Sequence, residues 1–172
     1  MKLHLLVILS TIVIVGCAAP TIKSTKKIPL NSLGTLAVLS FDGHNGHQFA
    51  DHITQELILR GARVVERAKV HSVLREQRLS VQDIAKGTIN YENLGGLLGV
   101  ETVIVGSVSP IYVYASGAPS GKVSTASLRL IRINDGIIIG SVTYSANTEL
   151  LAGSMLYPKC AEKIVSKIIS SP

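Results

Sequence analysis

Histidine and cysteine carry most of the chemistry this sequence could offer. His44, His47 and His52 fall in one short stretch with Asp42 and Asp51 beside them, residue types that can ligate a metal. His47 and Asp51 stand i, i+4 apart, which on a helix puts them on one face. His44 and His47 fall in a loop and at a helix start, where spacing sets no ligand geometry. Polar residues on a loop and a first helical turn give the same pattern, so no metal site is assigned. Gly117 and Gly121 enclose three residues where a phosphate loop has four, Val123 stands where a Ser or Thr would hold magnesium, and a strand pattern follows instead of a helix. Gly95-Gly96-Leu97-Leu98-Gly99 suits helix packing and a cap better than a dinucleotide fingerprint. No Gly-x-Ser-x-Gly elbow occurs. No catalytic residue and no cofactor is therefore expected, and the chain reads as a non-enzyme.

The firmest chemical signal lies at the start. Lys2 is followed by an apolar run from Leu3 to Val15, interrupted only by His4, Ser10 and Thr11. That is shorter than the roughly 20 residues of a membrane-crossing helix and matches the core of a secretory signal peptide. It ends Val13-Ile14-Val15-Gly16-Cys17-Ala18, which resembles the lipobox of bacterial lipoproteins. The lipobox chemistry requires a thiol, because diacylglycerol is attached through a thioether before the preceding peptide bond is cut. Cys17 is thus the expected lipid attachment site and Gly16–Cys17 the expected cleavage site, with the small Gly16 leaving room for the peptidase. One acyl chain anchors marginally and two or more anchor stably. The resemblance implies three chains, palmitate among them, on a mature Gram-negative lipoprotein. It also implies that Ala18 permits sorting to the outer membrane, with the protein facing the periplasm.

With Cys17 acylated, the other cysteine, Cys160, has no partner and no disulfide framework is expected. Cys160 falls in a helical pattern and reads as a packed small residue. The net charge is +6, with Lys23, Lys26 and Lys27 clustered after the lipobox. Each could add about 1 kcal/mol of attraction to an anionic surface, and a solvated linker would look the same. Aromatics are 4% and no basic run is interleaved with them, so nucleic acid is not an expected partner.

The elements that must position these residues read as one domain. Residues 1–16 are the signal peptide. Residues 17–33, polar and marked by Pro20 and Pro29, read as a lipidated, extended tether spanning at most roughly 55 Å. Residues 34–172 read as a single α/β domain. The runs at 35–41, 63–66 and 102–108 are strands. Helical spacing covers 47–60, 69–79, 90–98 and 158 onward. The strands 123–133 and 137–148 are joined by Asn134-Asp135-Gly136, residues that tolerate positive φ in a hairpin. Residues 116–121 and the polar stretch after 79 read as loops. The order is β-α-β-α-α-β-β-β-α, a mixed β-sheet flanked by helices.

Four segments in this order are similar to the family of the curli-secretion lipoprotein CsgG. They are Leu36-Ala37-Val38-Leu39-Ser40-Phe41-Asp42 with Phe49-Ala50-Asp51 after it; Val64-Val65-Glu66-Arg67 with Leu74-Arg75-Glu76-Gln77; the run from Leu98 to Val108; and Leu128-Arg129-Leu130-Ile131-Arg132-Ile133 before the Asn-Asp-Gly turn. The resemblance implies a lipid-anchored α/β envelope domain acting in assembly or secretion, a possible homo-oligomer, and a partner protein in the envelope. The pore does not carry over. A transmembrane strand needs about 9–11 residues, and residues 109–122 are too few for a spanning hairpin beside the sheet strand. Residues 147–158 leave no room for a second. The loop 42–47 also lacks the aromatic residue that narrows the family's channel. The competing expectation is an activator of a peptidoglycan synthase similar to the lipoprotein LpoB, although that role uses a long arm and this tether is short.

Overall fold

The computed structural model describes residues 20–86, 89, 91–115, 118–146 and 155–170. Gly16, Cys17 and the whole expected signal peptide lie outside them. Six strands form one mixed sheet: β1 (Thr21–Ser24), β3 (Thr35–Val38), β4 (Arg63–Val64), β5 (Thr102–Ala115), β6 (Ala118–Arg132) and β7 (Ile138–Ser145), in the order β1-β7-β6-β5-β3-β4. β3 pairs in parallel with β4 and β5, and the remaining pairs are antiparallel. A separate parallel pair joins β2 (Ile28–Pro29) to β8 (Ile169–Ser170). The helices are α1 (Gly46–Leu59), α2 (Arg67–Glu76), α3 (Val81–Lys86), α4 (Tyr91–Leu98) and α5 (Tyr157–Ile168). The expected single mixed α/β domain is what forms. No helix among the described residues is long and apolar enough to cross a membrane.

Helices cover both faces of the sheet and divide the core in two. α1 and α5 bury Phe49, Ile53, Leu57, Cys160, Ile164 and Ile168 against Leu36, Ile104, Leu128 and Val142. On the other face α2, α3 and α4 bury Val70, Leu74, Ile84, Leu94 and Leu98 against Ala37, Val103, Val105 and Ile131. Central β5 is covered on both sides, which is why Val103, Ile104 and Val105 run apolar without alternation. β7 is covered on one side only. Val142 and Tyr144 point inward while Thr143 and Ser145 stay exposed, so its sequence alternates.

The turn from β3 into α1 is tight enough to dictate its glycines. A Cβ on Gly46 would stand 1.8 Å from the Phe41 carbonyl oxygen, and one on Gly43, at φ 105°, would stand 2.1 Å from that of Val108. Phe49 on α1 then meets Phe41 and Tyr157 edge to face, with ring centroids 5.2 and 5.8 Å apart. These contacts tie the end of β3, α1 and α5 together.

Three expectations need correction. The segment read as a tether is, from Thr21 on, part of the fold. β1 lies antiparallel to β7, with Thr21 opposite Ser145, and Ile22 packs against the core. Only one of its four side chains points inward, so no alternation betrayed it. The polar stretch after residue 79 holds α3. Ser80 Oγ accepts from the Asp83 N–H at 3.1 Å while the Asp83 carboxylate accepts from the Ser80 N–H at 3.1 Å, a reciprocal cap legible as Ser-x-x-Asp. Finally, strand backbone fills the expected 116–121 loop apart from residues 116–117, which lie outside the described residues. β5 and β6 pair as far as Ala115 opposite Ala118, with a register shift at Pro110, which has no N–H to offer the ladder. β7 follows β6 only to Thr125, so residues 110–115 and 118–122 form a two-stranded arm beyond the sheet. Five or six residues per strand is about 17–20 Å, still short of a membrane-spanning length.

Candidate functional site

The histidine-rich stretch is a built turn. The Asp42 carboxylate accepts from the Gly43 N–H at 2.9 Å, and the Asp42 backbone bridges to β5, donating to Gly106 and accepting from Val108. Asp51 is ion-paired with Arg67, whose guanidinium also donates to the His47 carbonyl at 2.9 Å. His47 and Asp51 therefore do share a helix face, and a cation already occupies it. Among the described residues no group of three or more His, Cys, Asp or Glu is placed to hold a metal. Cys160 is fully buried on α5. Burial pushes its thiol up to about 12, so it stays protonated and unreactive.

A concave surface lies elsewhere on the domain. A cleft of about 700 Å³ opens between the C-terminal half of α4, the entry to β5 and the β6–β7 turn. Val100 and Ile133 line it, with Glu92, Glu101 and Arg132 among its polar groups. Its shape comes from glycine. The helix packs so close to β6 that a Cβ on Gly95 would stand 2.0 Å from Ile133 Cγ2, whereas Gly96 faces open space. Gly99, at φ 69°, ends α4 and donates to the Gly95 carbonyl at 2.7 Å. The Lys69 ammonium donates to the Leu98 carbonyl at 3.2 Å, a cation at the negative end of the helix.

Both acidic and basic groups here are held in place. The Glu101 carboxylate accepts from the Thr35 N–H, which fixes it at the start of β3. Arg132 forks onto Asp135 at 2.8 to 3.2 Å, and the Ile137 N–H adds a third donor at 3.1 Å. The Arg132 hydrogen bond, then that N–H, hold the Asp135 carboxyl below its ordinary value. Tyr91 lies against Gly136 of this turn and donates to the Ile84 carbonyl. Burial raises its phenol, with Arg129 opposing. Leu97 on α4 and Ile137 beside the turn stand exposed, at 47% and 52%. Such a cleft, apolar with fixed charges, can bind, and among the described residues that line it no nucleophile stands beside a base. The sequence showed its glycine spacing without showing that Glu92, Glu101 and Ile133 converge on it.

The chain matches the family model described as curli production assembly/transport component CsgG over residues 31–154. Among solved structures it is similar to the PelC dodecamer from Paraburkholderia phytofirmans, at 15% identity and a TM-score of 0.53, covering 88% of this chain and 99% of that one. A variant of the same PelC gives 17% identity and a TM-score of 0.50, covering 87% and 94%. The LpoB C-terminal domain from Salmonella enterica gives 20% identity and a TM-score of 0.44, covering 64% and 79%. No curated protein sequence matches the chain. At these identities the two PelC structures speak for the fold alone. The family match takes in the mixed sheet from β3 to β7, α1 to α4 between them, and the glycine-shaped cleft, and on that ground the chain belongs to the CsgG family.

Proposed function

We propose that the protein is a lipid-anchored component of the bacterial cell envelope that acts in assembly or secretion as a non-enzymatic binding module. The observation that carries this is the order along the chain: a signal-type leader ending at Gly16-Cys17, then a CsgG-family domain from residue 31. Cys17 is the acylated residue, cleaved from Gly16, and the domain faces the periplasm from the outer membrane. Its partner is another envelope protein, for which the α4 cleft with exposed Leu97 and Ile137 is the docking surface. Self-association is part of the same reading, since the PelC neighbours are dodecamers.

The geometry supports this reading over an arm that reaches a distant synthase. β1 begins at Thr21, so Cys17 lies four Cα steps before the sheet, a reach of at most about 15 Å. The arm of β5 and β6 is likewise too short to span a bilayer, which supports anchoring by lipid.

The test is Cys17→Ser expressed with labelled palmitate. The expected result is loss of label and of normal cleavage; a variant that matures and stays membrane-bound would overturn the proposal. The mass of the mature protein then reads self-association, and crosslinking in its own envelope identifies the partner.

A further inference from the structure

The lysines form a surface that composition alone does not reveal. Lys159, Lys163 and Lys167 recur every fourth residue on α5, and Lys159 and Lys167 are exposed. At the end of that helix the Ser24 hydroxyl of β1 donates to the Lys167 carbonyl at 3.4 Å. Lys26 and Lys27, both exposed, follow two and three residues after Ser24. Lys23 stands exposed on the face of the edge strand β1 opposite Ile22. Lys26, Lys27 and the three lysines of α5 thus border one side of the molecule, with Lys23 on the sheet face turned away from α5. β1, β2 and β7 contain no carboxylate, Glu162 is the acidic residue on α5, and among the described residues no carboxylate pairs with any of the six.

We infer that the α5–β1 side of the domain is a docking surface for anionic lipid headgroups. A membrane is favoured over an acidic protein by the position of the chain's start. Thr21, within about 15 Å of Cys17, lies at one end of β1 and opposite Ser145, while Lys26, Lys27 and Lys167 lie at the other. An anchor there lays the β1 edge and α5 along the lipid. Lysines near an anionic leaflet each raise partitioning about fivefold, and tethering makes that attraction intramolecular. The inference rests on the anchoring proposed above for its direction, and on the lysine geometry for its chemistry. A lysine on an edge strand also guards against strand-to-strand aggregation, which explains Lys23 alone but not the α5 row.

The test is co-sedimentation of residues 20–172, which hold every strand and helix described, with vesicles of phosphatidylglycerol and phosphatidylethanolamine against vesicles of phosphatidylcholine. Binding to the anionic vesicles only, weakened by salt, is expected. The triple variant K26Q/K27Q/K167Q should bind about 100-fold more weakly, while K26R/K27R/K167R should bind as the native chain does. No binding, equal binding to both vesicles, or a triple glutamine variant that binds normally would overturn the inference. Palmitate labelling of Cys17 reads the anchor separately. A labelled protein whose domain ignores anionic vesicles refutes this surface and leaves the anchor standing.

Discussion

Two neighbouring glycines of α4 should respond in opposite directions to the same substitution. Glycine within a helix costs about 1 kcal/mol relative to alanine, so either Gly95→Ala or Gly96→Ala gains that much from the backbone alone. At Gly96 nothing lies within 4 Å of the added Cβ, and the full gain of about 1 kcal/mol should appear. At Gly95 the methyl would stand 2.0 Å from Ile133 Cγ2 and 3.2 Å from the Val100 carbonyl oxygen. Ile133 is β-branched and only 5% exposed, so it cannot swing aside cheaply. Overpacking of this kind costs about 1–3 kcal/mol, which leaves Gly95→Ala between neutral and roughly 2 kcal/mol destabilised. The backbone gain is common to both, so the difference of about 1–3 kcal/mol isolates the helix–strand contact. Urea unfolding of the unlipidated domain measures it. With slopes of about 1–3 kcal/mol/M, the two midpoints should separate by on the order of 1 M. Ile133→Ala should also cost less in the Gly95→Ala background than in the native one. Equal stabilisation by both glycine substitutions would refute the packing that shapes the cleft.

Phe49 is fully buried between Phe41 and Tyr157, so Phe49→Ala should cost about 3–5 kcal/mol, read as a lower urea midpoint and melting temperature. The Cys160 thiol, raised from 9.0 to about 12 by burial, favours folding while protonated. That contribution is complete below pH 9 and is lost as pH rises toward 12, at about 1.4 kcal/mol per unit. Cys160→Ala should accordingly flatten the loss of stability above pH 9, and the native thiol should react with maleimide at neutral pH only after denaturant is added. Asp51→Asn breaks the ion pair with Arg67, whose side chains are 53% and 32% exposed, and should change stability by less than about 1 kcal/mol; a metal-binding or catalytic role would show as a larger functional loss. Ser80→Ala removes the cap of α3 and should cost about 1 kcal/mol, seen as faster hydrogen exchange in that segment.

Local pattern was enough for much of this protein. The apolar run ending at Cys17 is a chemical signal that needs no fold, and it underlies the expected anchor. The recurrence of Phe49, Ile53 and Leu57, and of Cys160, Ala161, Ile164, Val165 and Ile168, announced α1 and α5 because each helix buries one stripe. The unbroken Val103-Ile104-Val105 announced a strand covered on both faces, and Asn134-Asp135-Gly136 announced the hairpin. Even α3 could have been found from Ser80 and Asp83.

Tertiary structure decided what no window of sequence contains. β1 has a single inward side chain, and its partner β7 is more than a hundred residues away, so pairing rather than propensity makes Thr21–Ser24 a strand and shortens the expected tether. The cleft exists because Gly95 lets α4 approach Ile133 and because Glu101 is fastened to the start of β3. The lysines of α5 and of the segment after β1 become one surface through the Ser24–Lys167 contact and the pairing of β2 with β8. Periodicity reports which face of an element is buried, since burial acts residue by residue. Which elements meet, and hence which charges and apolar groups share a surface, depends on long-range packing whose free energy is spread over both cores.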